Sequence, residues 1–516
     1  MTEEKRRPRR QGGRANRQAV RSDANARVNP SPPGQTGGQY QPLTPAEITA
    51  IYDTALRLLS ELGMGETPRA LQEQCVLKGA TLNATRDGQT RVLFPRSMVE
   101  DIIAGAAHSF IFYGRDPKYD FEIGGNRVYF GTGGAAVQTL DLDSHWYRPS
   151  TLRDLYDFAR LVDTLENVSW FTRCCVATDL PDIRELDINT AYALLKGTNK
   201  PLGTSITLAE NVDPIIDMFD IASGGEGTFR ARPFCKIHIS PVISPMRYGE
   251  DAVAVALAAM RRGAPINCIT AAQSGATAPA PLAGFLAQSL AETLASLIMV
   301  NVFAPGYPMI FSNWPFVIDL RTGSFCGGGG EISVMNAASA QLSNFLNLPS
   351  GVASSMADAK AVDAQMGSEK ALAALAAGLA GGNMVYESCG MMASLLGVSF
   401  EAFVLDNEML SHVQRMVRGI EVNEETLGFD AICEAVLGEG HFLGAGQTMA
   451  AMQRDYFYPK LADRDDPTTW EEGGAKDSWQ RAGEKARAIL AAYHPSHLDV
   501  KADGCIRAHL PIRLTQ

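Results

Sequence analysis

Cysteine is scarce and unpatterned here: nine in 516 residues, with Cys174 and Cys175 adjacent and no C-x-x-C pair. That excludes a disulfide framework and a zinc ribbon and suits reduced thiols. Histidine is scarcer, at positions 108, 145, 238, 412, 441, 494, 497 and 509, with no H-E-x-x-H and no Cys/His cluster. No protein-held catalytic metal is therefore expected. There is no G-x-S-x-G elbow and no glycine-rich loop ending in Lys-Ser/Thr, which argues against an α/β-hydrolase and a P-loop enzyme. Long apolar runs are also missing. The longest candidate, 285–311, is broken by Gln288, Glu292, Asn301 and two prolines, so no membrane span is expected. The first residues are charged, with no apolar stretch before a small-residue cleavage site, and a cytoplasmic protein is the expectation.

Charged residues make up 20% of the chain, 46 basic against 57 acidic, for a net charge of −11. The imbalance is uneven. Residues 1–40 are rich in Arg, Gly, Gln and Pro with almost no large apolar side chain, which predicts a disordered basic tail. Lys5 and eight arginines against Glu3, Glu4 and Asp23 give the first thirty residues +6, leaving −17 on the rest. With no aromatic interleaving and an acidic body behind it, the tail reads as a solubilising leader rather than a nucleic-acid arm.

Order begins near Leu43. Thr44-Pro45-Ala46-Glu47 has the form of an N-cap, an N1 proline and a capping-box glutamate. Further helices are predicted after Thr67-Pro68 and Pro95, and the aromatic, β-branched runs from 110 with Gly124-Gly125-Asn126 read as hairpin chemistry. Residues 41–125 thus form a helical and hairpin cap. From 126 to 450, eight short apolar runs (128–131, 170–176, 202–206, 234–240, 266–271, 309–313, 351–355 and 384–388) alternate with helical patterns from 150–165 to 400–417. Eight βα units imply parallel strands buried on both faces and closing into a (β/α)8 TIM barrel; a doubly wound open sheet is the alternative. Residues 451–516 read as a docked C-terminal extension. The alanine-rich helices suit packing between subunits, so a homo-oligomer is also expected.

In such a barrel the chemistry follows the strands. Gly131-Thr132-Gly133-Gly134-Ala135-Ala136 matches a dinucleotide fingerprint, but the residues after it are strand-like and offer a pyrophosphate no helix N-terminus, so NAD is set aside. A glycine-rich lip remains, with a second at Gly327, Gly328, Gly329 and Gly330, leading into Glu331 at a helix start. Asn313-Trp314-Pro315-Phe316 follows the sixth strand and Tyr386-Glu387-Ser388-Cys389-Gly390 the eighth. Aromatic faces beside a carboxylate are what a quaternary ammonium requires, since it cannot donate a hydrogen bond; aromatics plugging the barrel mouth would look the same. Ser354 to Lys360, continuing to Asp363, Gln365, Glu369 and Lys370, suits a substrate loop, although helix capping by Asp363 explains part of it. His238 either points into the barrel or is a satisfied core histidine.

These residues resemble the trimethylamine:corrinoid methyltransferase family, in particular its branch lacking pyrrolysine, which includes glycine betaine methyltransferases. The matching segments are Tyr129-Phe130-Gly131-Thr132-Gly133-Gly134, Lys200-Pro201-Leu202-Gly203, the second glycine run with Glu331 and Met335-Asn336-Ala337-Ala338, Ala357-Asp358-Ala359-Lys360 with Asp363-Ala364-Gln365, and Leu405-Asp406-Asn407-Glu408. The resemblance implies a TIM barrel that passes a methyl group from an amine to the Co(I) corrinoid of a separate protein, with no obligatory catalytic residue and no tightly held cofactor. Family members acting on trimethylamine carry pyrrolysine near the end of the seventh strand, where this chain has Ser355-Met356, so a quaternary, betaine-like donor is favoured. The corrinoid motif D-x-H-x-x-G is not met, since Asp143-Ser144-His145-Trp146-Tyr147-Arg148 lacks the glycine, and the corrinoid is expected on a partner docked over the glycine lips and Asp358. Trp314, Phe316 and Tyr386 would face the cation, Glu331 and Glu387 supply charge, and Gln365 or His238 hold a carboxylate or orient the substrate. The rival readings are a non-catalytic quaternary-amine-binding barrel or scaffold and a barrel enzyme using another cofactor.

Overall fold

A computed structural model describes residues 29–84 and 88–515, so most of the expected disordered tail lies outside the described residues. The chain divides into two compact units, Pro33–Arg418 with Pro459–Gln516, and Met1–Pro32 with Gly419–Tyr458.

The larger unit is an α/β fold around a nine-stranded mixed sheet. Eight strands are parallel: β1 (Arg127–Phe130), β2 (Phe171–Thr172), β3 (Leu202–Ser205), β4 (Cys235–Ile239), β5 (Ile266–Thr270), β6 (Met309–Asn313), β7 (Ser350–Ala353) and β8 (Met384–Tyr386). They run in the order β1-β8-β7-β6-β5-β4-β3-β2, and the ninth strand, Gln35–Thr36, pairs antiparallel with β1. Beyond this ladder, the Ser169 N–H donates to the Phe130 carbonyl at 2.8 Å and the Ala136 N–H to the Cys174 carbonyl at 3.0 Å, which draws β2 to β1. A main helix follows each strand: α1 (Leu152–Asp163), α2 (Ile183–Gly197), α3 (Val212–Ala222), α4 (Glu250–Arg261), α5 (Leu282–Phe303), α6 (Gly330–Phe345), α7 (Ala364–Ala380) and α8 (Phe400–Arg418). β4 to β8 are buried throughout, as parallel strands covered by helices must be.

Local chemistry sets the element ends. Thr151 and Asp154 form a capping box at α1, Asp363 caps α7, and Gly381 ends α7 in the left-handed conformation. In the cap, Thr44 and Glu47 form the expected box at helix Pro45–Arg57. The expected Thr67 cap is corrected: Pro68 stands at the N-cap of Arg69–Leu77, and the Thr67 hydroxyl donates to the Met64 carbonyl instead. The hairpin is Ser109–Phe112 with Phe121–Gly124; the Gly124-Gly125-Asn126 signal is corrected, since Arg127–Phe130 beyond it pairs in the main sheet instead. Helix α5 is long and apolar enough to cross a membrane by length and composition, but 83% of its most apolar window is buried in the fold. It packs between the sheet and the cap helices, and its buried Glu292 accepts hydrogen bonds from Ser244, the Met246 N–H and Gln288.

Two expected boundaries move. Residues 33–40 join the sheet instead of the tail: the Gly34 and Gly37 N–H groups donate to the carbonyls of Val128 and Asn126, and Gly38 to Leu379. Backbone pairing orders a segment whose side chains give no apolar signal. The extension does not begin at 451. The chain leaves the larger unit after Arg418 and re-enters it at Pro459. There Arg160 on α1 donates to the carbonyls of Leu490 and Tyr493 at 2.7 and 2.8 Å, and His497 pairs with Asp163 at 2.8 Å. The smaller unit holds helices Phe429–Leu437 and Gly446–Arg454, tied to Glu425 by an Arg454 ion pair of 2.9 Å.

Candidate functional site

The carboxyl ends of β4, β6 and β8 bring four of the expected residues into one cluster. Ring centroids of Tyr386 lie 5.1 Å from Trp314 and 5.3 Å from His238, and Phe316 lies 6.4 Å from Trp314. Trp170, just ahead of β2, meets Tyr386 edge-on at 5.3 Å. All five are buried.

Glu387 follows Tyr386 directly, in a left-handed backbone conformation (φ 63°) uncommon for a residue with a side chain. Its carboxyl is buried and neither oxygen has a hydrogen-bond partner. Burial pushes its pKa up to about 8, against the pull of the Lys370 ammonium. Other buried polar atoms at these strand ends are also unpartnered: both side-chain amide atoms of Asn313, the Trp314 indole nitrogen, the Thr270 hydroxyl and Arg173 Nε. Buried polar groups normally find partners, and five such side chains at the same end of one sheet mark a place built for something else to contact.

Next to this lies a donor-rich group of which sequence reasoning singled out only His238. Lys236 on β4 is fully buried; its Nζ donates to Thr172 at 3.1 Å and lies 4.8, 5.4 and 5.2 Å from the ring centres of Phe112, Trp170 and Tyr386. Burial holds its pKa well below the ordinary lysine value. Ser312 donates to the Asn267 side-chain carbonyl, and the Asn267 amide nitrogen faces the His238 ring, 3.2 Å from Nδ1 and 3.4 Å from Nε2. Burial, then Lys236 and Arg173, keeps His238 neutral.

Lys370 on α7 supports the site from behind. It pairs with Asp406 at 3.2 Å and donates to the Ser355 carbonyl, and to that of Met391 at 3.2 Å. Ser355, like Glu387, has positive φ, so one buried ammonium steadies the turns after both β7 and β8. Asp406 also accepts from the Gly390 N–H at 2.7 Å.

Other expected site residues lie elsewhere. Glu331 is exposed in the first turn of α6, where the helix dipole accounts for it. Gln365 is exposed at the start of α7 and donates to Glu369 at 2.8 Å. The first glycine run lines the fold from within: Gly131 and Gly133 are buried, a Cβ on Gly131 would stand 2.2 Å from the Trp170 ring, and Cβ atoms on Gly133 and Gly134 would each meet Glu387 at 3.3 Å. In the second run, the Gly327 and Gly328 N–H groups donate to Asp358 at 2.6 and 3.2 Å, and Gly327 is buried against Met356. Gly329 is half-buried and Gly330 exposed. A cleft of about 460 Å³ at the opposite, amino end of the strands is lined by Tyr119, Tyr129, Asp163 and Lys200, but the Lys200 ammonium already has three carbonyl acceptors.

The family model described as trimethylamine methyltransferase (MTTB) matches residues 10–514. The chain belongs to this family. Among trimethylamine methyltransferase relatives, it is 31% identical to "Trimethylamine methyltransferase MttB" of Desulfitobacterium hafniense (strain DSM 10664 / DCB-2), over 90% of this chain and 92% of that one. It is 28% identical to "Glycine betaine methyltransferase" of D. hafniense (strain Y51), over 93% and 98%. A solved structure, the carboxyl transferase domain of Rhizobium etli pyruvate carboxylase, is similar with a TM-score of 0.33 and 12% identity, covering 64% of this chain and 56% of that one. In this family member, the signal for Lys236 was present in the chain: a lysine two residues from His238 in an otherwise apolar strand must share its face.

Proposed function

We propose that this chain moves a methyl group from a quaternary, betaine-like or other methylated amine to the Co(I) corrinoid of a separate protein, which is the second substrate. The sheet is read as a closed (β/α)8 barrel with its site at the carboxyl ends of the strands. The observation that carries the reading is Glu387: a buried carboxyl with no donor on either oxygen, next in the chain to Tyr386, whose ring lies 5.1 Å from that of Trp314. A quaternary ammonium offers charge without hydrogen bonds, and a carboxylate among aromatic faces is its complement. Family membership and the two relatives' names support the reaction class.

A corrinoid acceptor supplies the nucleophile, so the protein's work is to position the donor and keep water out. Glu387 neutralises the cation, Trp314 and Tyr386 hold it without proton transfer, and the turns after β7 and β8 are fixed through Lys370. No general acid or base is required, because a quaternary nitrogen leaves as a neutral tertiary amine. A partner corrinoid protein, docking near the exposed end of the second glycine run, and a cytoplasmic location belong to the same proposal. The test is transfer of isotope-labelled methyl groups from a panel of quaternary amines to a reduced corrinoid protein, with Glu387→Gln as the control. Transfer that the substitution abolishes supports the reading; binding without transfer makes the chain a non-catalytic binder, and neither removes the function.

A further inference from the structure

We propose that Gly133-Gly134-Ala135 is the gate of the site, a three-residue flap that swings off the Glu387 carboxyl to admit the donor and closes behind it. This rests on the reading above, that Glu387 receives the donor, and adds how the donor reaches it.

The carboxyl is shut in. Glu387 is 1% exposed and Tyr386 not at all, and both Glu387 oxygens are buried. A methylated nitrogen is larger than a water molecule, so it touches that carboxyl only after a wall moves. The loop after β1 is the thin wall. Gly133 is buried, Gly134 half-buried and Ala135 exposed, so three residues run from the carboxyl to solvent. Cβ atoms on Gly133 and Gly134 would stand 3.3 Å from Glu387 Oε1 and Oε2 respectively, too close for any other side chain to lie between.

The other walls are tied and this one is not. Asp358, after β7, accepts the Gly327 and Gly328 N–H groups of the loop after β6 at 2.6 and 3.2 Å, and the Ser394 hydroxyl of the loop after β8 at 2.7 Å. The Ser394 N–H donates to the Ala357 carbonyl at 3.0 Å, and Lys370 holds the carbonyls of Ser355 and Met391. The loop after β1 is pinned at its ends. Thr132 Oγ1 donates to the Thr172 carbonyl at 2.6 Å and accepts the Thr172 N–H at 2.8 Å, while the Ala136 N–H donates to the Cys174 carbonyl at 3.0 Å. Between those pins, among the described residues, the backbone of Gly133, Gly134 and Ala135 makes no hydrogen bond within the protein. Opening there breaks no such bond, and Gly134, at φ 93°, supplies the freedom to turn. Opening at a tied loop would break several.

Thiol labelling of the full chain carrying Glu387→Cys reads the gate without any amine donor or corrinoid protein. Methyl methanethiosulfonate is the reagent, and mass spectrometry of the peptide holding position 387 separates that thiol from the other cysteines. It should label at least about a hundredfold more slowly than free cysteine, because the flap is mostly closed. Gly134→Ala penalises the closed flap, through its left-handed backbone and a Cβ 2.3 Å from Met391 Cε, and should speed labelling by about fivefold or more. Ala135→Gly adds freedom without a clash and should speed it by about twofold or more; if Gly134→Ala does not fold, this variant alone decides. Asp358→Ala unties the other loops and should change the rate by less than about twofold. Labelling as fast as free cysteine, no gain in the folded flap variants, or a larger gain from Asp358→Ala than from either of them overturns the gate. Those outcomes leave the methyl-transfer reading intact, whereas a panel of quaternary amines that neither binds nor reacts removes that reading and leaves the motion of the flap standing.

Discussion

At neutral pH the buried Glu387 carboxyl, with its pKa near 8, is mostly protonated in the free protein, and a bound cation favours the ionised form. Substrate affinity should therefore rise as pH rises toward about 8 and level off above it; an affinity that falls over that range would contradict the assignment. Stability runs the other way. The folded pKa is raised above the unfolded value, so the unfolded chain ionises first and stability is lost as pH climbs from about 4.5 to about 8. Glu387→Gln should raise the melting temperature at pH 8 by the equivalent of ~1–4 kcal/mol and leave it nearly unchanged at pH 4. Trp314→Ala should weaken substrate binding by about tenfold or more, since a desolvated cation–π contact is lost; unchanged affinity in calorimetry would take Trp314 out of the site. The carboxylate and rings were legible because each follows an apolar run. Arg173 was not singled out and Lys370 was read only as the end of a substrate loop, since only the fold shows that one guanidinium nitrogen is unpartnered and that one ammonium spans two turns.

The eight parallel strands and the main helices that follow them were legible to within a few residues because two periodicities alternate so cleanly along the chain. Most of the error falls on β2, expected over 170–176 and observed as Phe171–Thr172. Beyond Thr172 the chain pairs with the glycine loop after β1, through Ala136, which no local pattern announces. That loop also explains why the glycines were misread as an outer lip. Small residues signal close approach, but not whether the approaching surface is a partner or the protein's own Trp170. Gly131→Ala should cost ~1–3 kcal/mol by driving a methyl group into that ring, and Trp170 fluorescence should shift with it. A variant as stable as the parent with an unchanged spectrum would show that the ring is not held there.

For the whole molecule, family, fold class and substrate class were approached from different kinds of signal. The order of motifs pointed to the family, strand and helix alternation to the α/β fold, and aromatic residues beside a carboxylate to the cation. Chain excursions carried no such signal: the chain departs after Arg418 and returns at Pro459, and the returned segment is held by distant contacts such as His497 with Asp163. The account as a whole stands on methyl transfer from a positively charged donor. Its most direct test is to mix the protein with a methyl-labelled quaternary amine and a separately purified, reduced corrinoid protein, and follow the label. The account predicts label on the corrinoid protein and release of the demethylated tertiary amine in equal amounts, both lost in Glu387→Gln. An intact donor after prolonged incubation with each member of a broad quaternary-amine panel would contradict it.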